Sequence, residues 1–266
     1  IQLPEGIKFG IPRWSPDGKN LAFISSRGGS PQVWVIPMGG GEPRKLTDFP
    51  GGVGSFSWSK SGRFLLVTSS VFPDCPDLEA NRRRFEQQEN SRVKARIYDH
   101  LLFRHWNAWF DGTRSHLFLF PLDGGQPLDL TPGDYDTPPI ALGGELDFSL
   151  APEEKEIAFV RNIDPELKLG LGTNNDIFLT TPEGKTIDKL TVSRANDIDP
   201  KYSPDGRYLA YRAMARPGFE ADKLDLIIYD RQKKTFSNLT DKLDYSLSEF
   251  VWAPDSQAIY FLCEEK

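Results

Sequence analysis

The sequence predicts an all-β protein, specifically a partial β-propeller of four-stranded antiparallel blades, from three features that recur along it. The first is a turn phrase of the form aromatic-Ser-Pro-Asp-Gly, which precedes a strand-like run. The second is a Leu-Thr pair that closes each unit, and the third is an apolar run between the two. The turn phrase begins at Trp14, Trp58, Tyr202 and Trp252, and a degraded copy begins at Phe148.

The turn phrase has the chemistry of a tight hairpin turn. Residues 15–18 read Ser-Pro-Asp-Gly, and residues 21–23, Leu-Ala-Phe, follow them. Proline presets φ for the first central position of a type I turn, aspartate bonds the local backbone, and glycine relaxes the exit. Because strand-forming residues flank the turn, each phrase predicts the hairpin of a blade's first two strands.

A further run and a closing pair complete each unit. The run is apolar and is mostly followed by a glycine-bearing turn, which predicts a third strand leading into a fourth. Four strands per unit, in up-and-down order, describe a propeller blade. The third runs lie at 33–36, 116–120, 176–179 and 226–229, and the closing pairs are Leu46-Thr47, Leu130-Thr131, Leu190-Thr191 and Leu239-Thr240.

The spacing of the turn phrases divides the chain into blades. Their aromatic residues lie at 14, 58, 148, 202 and 252, and common blades repeat every 40 to 50 residues or thereabouts. The second step is too long, and its surplus falls between the second and third strands, so we expect a large insertion at 72–115. One propeller domain over 1–266 is expected, with blades at 1–47, 48–131, 132–191, 192–240 and, incomplete, 241–266.

About four and a half blades form an open arc rather than a closed ring. A propeller closes with about 4 to 8 complete blades, so the sequence has the character of a piece of a longer protein. In an up-and-down blade, the connections between strands two and three share one face with the links between blades. The insertion and the longest connectors therefore all belong to one predicted functional face, since binding residues concentrate on such loops.

Composition excludes several classes of function. The chain carries a formal charge of −6 with a pI near 5.2, and it lacks the basic footprint of a nucleic-acid binder. No stretch approaches the roughly 18 apolar residues of a membrane span. Cys75 and Cys263 are too few and too far apart for a disulfide framework. Arg82, Arg83 and Arg84 form the one basic cluster, and we interpret them as a solvated helix face.

The predicted insertion has its own organisation. Its first part, from Pro76 to about Lys94, is charged and free of glycine and internal proline, which favours a helix or helical hairpin. An aromatic segment follows and holds all three histidines. Their spacing matches no compact zinc pattern, so we expect no metal site and no cofactor. These histidines are His100, His105 and His116.

Other catalytic arrangements find little support. The Gly-x-Ser-x-Gly elbow of an α/β-hydrolase is absent, so no triad is encoded in these residues. A carbohydrate-binding or lyase propeller would need acidic and histidine pairs that are not evident. Two Asp-x-Asp pairs fall where blade connectors are expected, and we assign them turn and capping roles: Asp134 with Asp136, and Asp197 with Asp199.

The sharpest candidate site lies in the insertion. A carboxylate in a partly closed cavity can bind a peptide's α-ammonium group, while arginine and aromatic side chains can engage peptide carbonyls and apolar side chains. The alternative is that the glutamates solvate a helix and the aromatic residues pack the insertion onto its blade. The candidate substrate-binding residues are Glu86, Glu89, Arg104, His105, Trp106 and Trp109.

The turn phrase with its Leu-Ala-Phe run resembles the TolB-type repeat. That repeat occurs in periplasmic scaffold propellers and in the N-terminal propellers of prolyl oligopeptidase family serine peptidases. Residues 104–116, Arg-His-Trp-Asn-Ala-Trp-Phe-Asp-Gly-Thr-Arg-Ser-His, resemble the acylaminoacyl-peptidase branch, especially the bacterial dipeptidyl-peptidase V-like enzymes. The resemblance covers the whole chain as propeller and implies an open arc of a seven-bladed ring.

The resemblance implies a domain that gates a C-terminal α/β-hydrolase domain of the same polypeptide and recognises the amino ends of short peptides. The parent would be a dipeptidyl or acylaminoacyl serine peptidase, periplasmic or secreted rather than cytoplasmic. Propeller glutamates of dipeptidyl-peptidase relatives hold the substrate amine, which is why Glu86 and Glu89 are candidates. The chain alone is expected to be inactive. The alternative is a TolB-like, non-catalytic protein-binding scaffold, and oligomerisation stays open.

Overall fold

The computed structural model of the chain describes residues 9–99, 102–165, 168 and 170–263. Within these residues, four-stranded antiparallel sheets follow one another along the sequence and a two-stranded hairpin comes last, as the repeats predict. The chain divides into two compact units, Ile1–Asp134 and Tyr135–Lys266. The blade boundaries and the single propeller domain stay predictions.

The first unit contains two of the four-stranded sheets. The first sheet consists of β1 (Phe9–Trp14), β2 (Asn20–Ser25), β3 (Gln32–Pro37) and β4 (Arg44–Lys45). The second sheet begins with β5 (Phe56–Trp58) and β6 (Phe64–Val71). The insertion follows as helix α1 (Leu78–Asn90) and the hairpin of β7 (Arg104–His105) and β8 (Ala108–Trp109). The sheet is completed by β9 (Arg114–Pro121), which pairs with β6, and by β10 (Leu128–Asp129) at the edge.

The second unit contains the other two four-stranded sheets and the last hairpin. One sheet consists of β11 (Phe148–Leu150), β12 (Ile157–Arg161), β13 (Asp176–Thr180) and β14 (Ile187–Lys189). The next consists of β15 (Asp197–Tyr202), β16 (Tyr208–Ala213), β17 (Asp225–Asp230) and β18 (Thr235–Asn238). The hairpin is β19 (Leu247–Trp252) with β20 (Ile259–Cys263).

The turn phrases form the hairpin turns that their chemistry predicts. Gly18 donates its N–H to the carbonyl oxygen of Ser15 at 2.8 Å and has φ +68°, a conformation that suits glycine. The Ser15 hydroxyl donates to the Asp17 carboxylate at 2.6 Å, and that carboxylate also accepts the N–H of Lys19. Residues 203–206 repeat this pattern in the second unit.

The Leu-Thr pair joins the third strand of each sheet to the segment after the fourth. The hydroxyl of Thr240 accepts the backbone N–H of Leu226 at 2.9 Å and donates to the Asp225 carboxylate at 2.9 Å. The threonine is 2% exposed, so each of these groups is satisfied away from water. The same acceptance links Thr47 to Val33, Thr131 to Leu117 and Thr191 to Ile177.

Successive sheets within a unit pack through their apolar faces. In the first unit, Ala22 and Val33 of one sheet share a buried cluster with Leu65 and Phe118 of the next. In the second unit, Val160 and other residues of the β11–β14 sheet share a cluster with residues of the β15–β18 sheet.

Within the part of the chain that the structure describes, no helix has the length and apolar character needed to cross a membrane.

Replacing the threonine of a closing pair should destabilise its sheet. In Thr240→Val the Leu226 N–H loses its acceptor in the interior, so we expect the free energy of unfolding to fall by about 1 to 3 kcal/mol. Chemical denaturation measures this change. Thr235→Val, at an exposed position of the neighbouring strand, is the matched control and should change stability by less than about 0.5 kcal/mol. Equal losses in the two variants would contradict the assigned role of the hydroxyl.

Candidate functional site

The insertion leaves and re-enters the second sheet at two paired residues. Val71 at the end of β6 lies opposite Arg114 at the start of β9. The helix α1 begins after Asp77, whose carboxylate accepts the N–H of Ala80 at 2.7 Å and so caps the helix. It ends at Asn90, which confirms a helix within the predicted region but shorter than its predicted span.

Asn81 fastens the helix to the sheet. This side chain is 3% exposed; its Oδ1 accepts the N–H of Phe72 at 2.6 Å, and its Nδ2 donates to the Asp77 carbonyl oxygen at 2.9 Å. Phe85 packs on Phe72 with ring centroids 4.8 Å apart. A buried amide needs such partners, so the base of the insertion is held by polar and apolar contacts together. Sequence reasoning missed Asn81, although its place on the stripe of Leu78 and Phe85 was a usable signal.

The basic cluster does more than solvate a helix face. Arg82 donates to the Asp48 carboxylate at 2.8 Å, which connects α1 to the segment after the first sheet. Arg84 bonds Asp74 at 2.5 Å and lies over the Phe72 ring. These contacts lower the pKa values of the two aspartates: Lys45 is the largest cause and Arg82 a further one at Asp48, and Arg84 is the largest cause at Asp74. Two of the three arginines therefore orient the helix.

The two candidate glutamates lie on the exposed C-terminal half of α1. Glu86 and Glu89 are exposed, and neither carboxylate has a hydrogen-bond or ion-pair partner among the described residues. Their helix is fixed at its other end by Asn81 and the arginines. Each carboxylate is therefore available to a cationic group from outside the chain. Among the described residues, no hydrogen bond or ion pair joins either glutamate to the β7–β8 hairpin.

The other four candidate residues meet in that hairpin. Arg104 pairs with Trp109 across the strands, and its guanidinium lies 5.7 Å from the Trp109 ring centroid. His105 pairs with Ala108. Trp106 occupies the turn with φ +49° and is 85% exposed. Trp109 stacks on Tyr98 with centroids 5.9 Å apart, so an aromatic base supports the arginine and the protruding tryptophan.

The two histidines that the structure describes, His105 and His116, lie in different elements. His116 is 2% exposed and is held by the Asp129 carboxylate at Nδ1, 2.7 Å away, and by the Gly133 carbonyl oxygen at Nε2, 2.8 Å away. His105 lies in the hairpin, and His100 lies outside the described residues. Among the residues that the structure describes, no three His, Cys, Asp or Glu side chains are grouped to hold a metal ion.

The expected connector carboxylates are partly in a strand. Asp197 and Asp199 belong to β15, contrary to expectation, because a bulge between Ile198 and Lys201 accommodates Asp199 at φ +56°. Asp199 is paired with Lys201 at 3.0 Å and with Arg212 at 3.2 Å. It is thus a structural ion-pair residue.

Burial raises the pKa values of two further carboxylates in this part of the second unit. The Asp147 carboxylate accepts the N–H groups of Gly144 and Asp199, yet burial raises its pKa to about 6. Burial likewise raises the pKa of Asp197 to about 7, against the lowering effect of hydrogen bonds from Thr191 and Ser193. Asp147 ties the segment before β11 to β15 within the second unit. Both carboxylates have structural roles, because Asp147 accepts backbone N–H groups and Asp197 accepts the Ser193 hydroxyl.

Comparison with known proteins identifies relatives of the whole chain. It is 31% identical over 261 residues to dipeptidyl-peptidase 5 of Porphyromonas gingivalis, a match that covers 96% of this chain and 37% of that protein. The chain thus spans little more than a third of the length of this relative. No family model matches the chain.

Solved structures confirm the predicted fold. The β-propeller domain of the trilobed protease from Pyrococcus furiosus is similar with a TM-score of 0.57 at 15% identity, over 97% of this chain and 66% of that one. TolB from Agrobacterium tumefaciens is similar with a TM-score of 0.59 at 16% identity, over 97% and 70% of the two chains. At these identities the likeness concerns the fold, and it confirms the β-propeller architecture.

Removing the buried charge at position 197 should change how stability depends on pH. The folded pKa of Asp197 is about 7, whereas an unfolded aspartate has a pKa of about 3.9. The folded state therefore binds this proton more tightly, and the free energy of unfolding falls as pH rises from about 4 to about 7. The free energy of unfolding of Asp197→Asn, relative to that of the native chain, should therefore rise by about 1 kcal/mol or more as the pH rises from about 5 to about 8.

Denaturation of both proteins at the two pH values measures this difference. Asp147 is unchanged in both, so its own titration cancels in the comparison. Asp188→Asn, an exposed residue on β14, is the matched control and should follow the native pH profile. A constant difference between Asp197→Asn and the native chain at all pH values would show that residue 197 does not titrate in this range.

Proposed function

Because this chain belongs to the β-propeller domains of the prolyl oligopeptidase family of serine peptidases, we propose that it screens peptides and recognises their amino ends for a peptidase active site. That site would lie in an α/β-hydrolase domain of the same polypeptide, and the substrates would be short peptides. The support is a relative named as a dipeptidyl peptidase that matches along 96% of the chain. Acylaminoacyl substrates are the variant of this proposal in which the amino end is blocked.

One observation carries the proposal: the insertion is fixed at its base and exposes unpaired binding groups at its far end. Asn81 and Arg84 hold the base. The groups that remain available are the carboxylates of Glu86 and Glu89 and the side chain of Trp106. Binding groups on a rigid support lose little freedom when a ligand binds, which favours recognition. A segment that only covered its blade would direct these groups inward.

The chemistry of these groups suits a peptide with a free amino end. A carboxylate binds an α-ammonium group through a charge-assisted hydrogen bond. Arg104 can donate to peptide carbonyl oxygens, and Trp106 and Trp109 offer apolar faces to side chains. The proposal includes size selection, in which short extended peptides reach the active site of the hydrolase domain and folded proteins do not.

The scaffold alternative makes a different prediction about the gene. The TM-score of this chain with TolB is similar to its TM-score with the propeller domain of the trilobed protease. The fold alone therefore does not separate a peptidase propeller from a protein-binding scaffold. A Gly-x-Ser-x-Gly elbow encoded in the same reading frame as this chain supports the peptidase. A reading frame that encodes propeller blades without that elbow supports the scaffold.

Variants of the insertion should impair peptide hydrolysis by the full-length enzyme. Arg104→Ala and Trp106→Ala should each lower kcat/KM for small peptides, because a hydrogen bond or packed contact to the substrate is lost. The expected loss of transition-state stabilisation is on the order of 1 to 3 kcal/mol. The double variant Glu86→Gln/Glu89→Gln should lower kcat/KM for peptides with a free amino end and spare the acetylated peptides. Steady-state kinetics on both peptide sets measures these effects.

Arg44→Ala, an exposed residue of β4, is the matched control and should retain native kinetics. Unchanged kcat/KM in Arg104→Ala and Trp106→Ala would remove the hairpin from substrate recognition. Equal losses on free and acetylated peptides in the glutamate variant would remove amine binding from the proposal.

The 266-residue chain alone should not hydrolyse dipeptidyl or acylaminoacyl chromogenic substrates. It encodes no nucleophile elbow, and the ring nitrogens of His116 bond the Asp129 carboxylate and the Gly133 carbonyl oxygen instead of a nucleophile. Release of the chromophore by the purified chain is the measurement. Activity that persists through repeated purification and is constant per mole of chain would refute this expectation.

A further inference from the structure

The segment between α1 and the hairpin has an unusual composition and environment. From Val93 to Tyr98 the backbone contains no helix, strand, turn or bend. Basic and apolar side chains alternate along it, with Val93 72% and Ile97 93% exposed. We call residues 92–97, Arg-Val-Lys-Ala-Arg-Ile, the basic strap.

Several backbone groups of the basic strap have no hydrogen-bond partner among the described residues. The Ser91 hydroxyl bonds both the N–H and the carbonyl oxygen of Val93. Beyond that point, the backbone groups of Ala95, Arg96 and Ile97 form no hydrogen bond with other described residues. A row of unpaired N–H and C=O groups on an exposed segment is a template for pairing with another extended chain.

The basic strap is also one wall of a groove. A cavity of about 540 Å³ lies between the strap, Gln88 of α1 and residues 110–112 of the returning chain. Its end is fixed, because the Tyr98 hydroxyl donates to the Phe110 carbonyl oxygen at 2.9 Å. The groove therefore has a formed wall on each side and room for an extended segment beside the strap.

The charge of the basic strap selects the kind of segment. Arg92 and Arg96 have no ion-pair partner among the described residues, and the Lys94 ammonium donates to the Glu89 carbonyl oxygen at 3.0 Å. Among the described residues that line the groove, Asp111 supplies the one carboxylate, which already accepts the N–H and hydroxyl of Thr113. The strap thus presents positive charge in a chain whose net charge is −6.

We propose that the basic strap binds an extended acidic peptide, which adds to it as a strand. Alternate residues of an extended chain repeat every 6.8 Å or thereabouts and share a side. Acidic side chains at alternate positions of the ligand would meet Arg92, Lys94 and Arg96, because opposite charges across paired strands attract. Small apolar residues between them would contact Val93 and Ile97. The inference rests on the proposed function in one respect, that the ligand is a peptide.

Binding to capped peptides tests this inference. The probe is a fluorescent pentapeptide, Glu-Val-Glu-Val-Glu, with its amino and carboxyl ends blocked so that amine recognition cannot contribute. Fluorescence anisotropy should show binding to the 266-residue chain that weakens as salt is added. The matching Gln-Val-Gln-Val-Gln peptide should bind at least about tenfold more weakly.

Two variants separate the contributions of charge and backbone. Arg92→Gln/Arg96→Gln should weaken binding of the acidic peptide by about tenfold or more. Ala95→Pro removes one N–H at an exposed position and should weaken binding of the acidic peptide while the chain stays folded. Arg44→Gln, an exposed arginine on β4, is the matched control and should bind as the native chain does.

Three results would overturn the inference: absence of binding, equal binding of the glutamine peptide, or binding that neither variant weakens. Strap-dependent binding to phosphatidylglycerol vesicles without binding of the peptide would also overturn it, in favour of a membrane surface. Because the peptides are capped and no hydrolysis is measured, failure here leaves the kinetic test of Glu86 and Glu89 intact. Loss of the amine effect in that kinetic test would leave this binding result intact.

Discussion

The antiparallel ladder between β6 and β9 is the constraint on which the candidate site depends. It runs through eight residue pairs, from Phe64 with Pro121 to Val71 with Arg114. Because the last pair fixes the two ends of the insertion side by side, the long excursion begins and ends at one point of the sheet. The entropy cost of closing a loop grows slowly with its length. The sheet therefore tolerates a large insertion here, and the insertion gains a stable base.

The polar groups of the insertion have more partners near that base than at its far end. Near the sheet, Asn81 has its hydrogen bonds and Arg84 has both a carboxylate and an aromatic ring. Farther out, Glu86, Glu89 and the basic strap have polar groups without partners among the described residues. Recognition of a ligand can therefore concentrate at the far end without weakening the blade.

Local chemistry explains why the sheets were predictable and why several roles were not. Turn phrases and alternating runs act over a few residues, so the sequence reveals them directly. The closing threonine is visible as a repeat, but its hydrogen bond joins Thr240 to Leu226, and only the folded chain brings them together. The same holds for Arg82, because strands β5 and β6 separate it in the sequence from its partner Asp48. The sequence supported the interpretation of Arg82 as part of a solvated helix face, because the sequence alone does not show that Asp48 lies beside it. The six candidate residues were located in one insertion, but their division between helix and hairpin emerged from the fold.

Trp106 shows how the hairpin differs from a segment selected for stability alone. A bulky residue with φ near +49° occupies a conformation that costs on the order of 1 to 2 kcal/mol in backbone strain. Its indole is 85% exposed, so burial within the described residues offsets little of that cost. The hairpin persists because Arg104 and Tyr98 pack against Trp109 beneath the turn. A strained, exposed tryptophan on a supported turn recovers free energy when a ligand covers the indole, since burial of aromatic surface is favourable. The turn therefore contributes little to holding the blade together, which supports the proposal that Trp106 takes part in recognition.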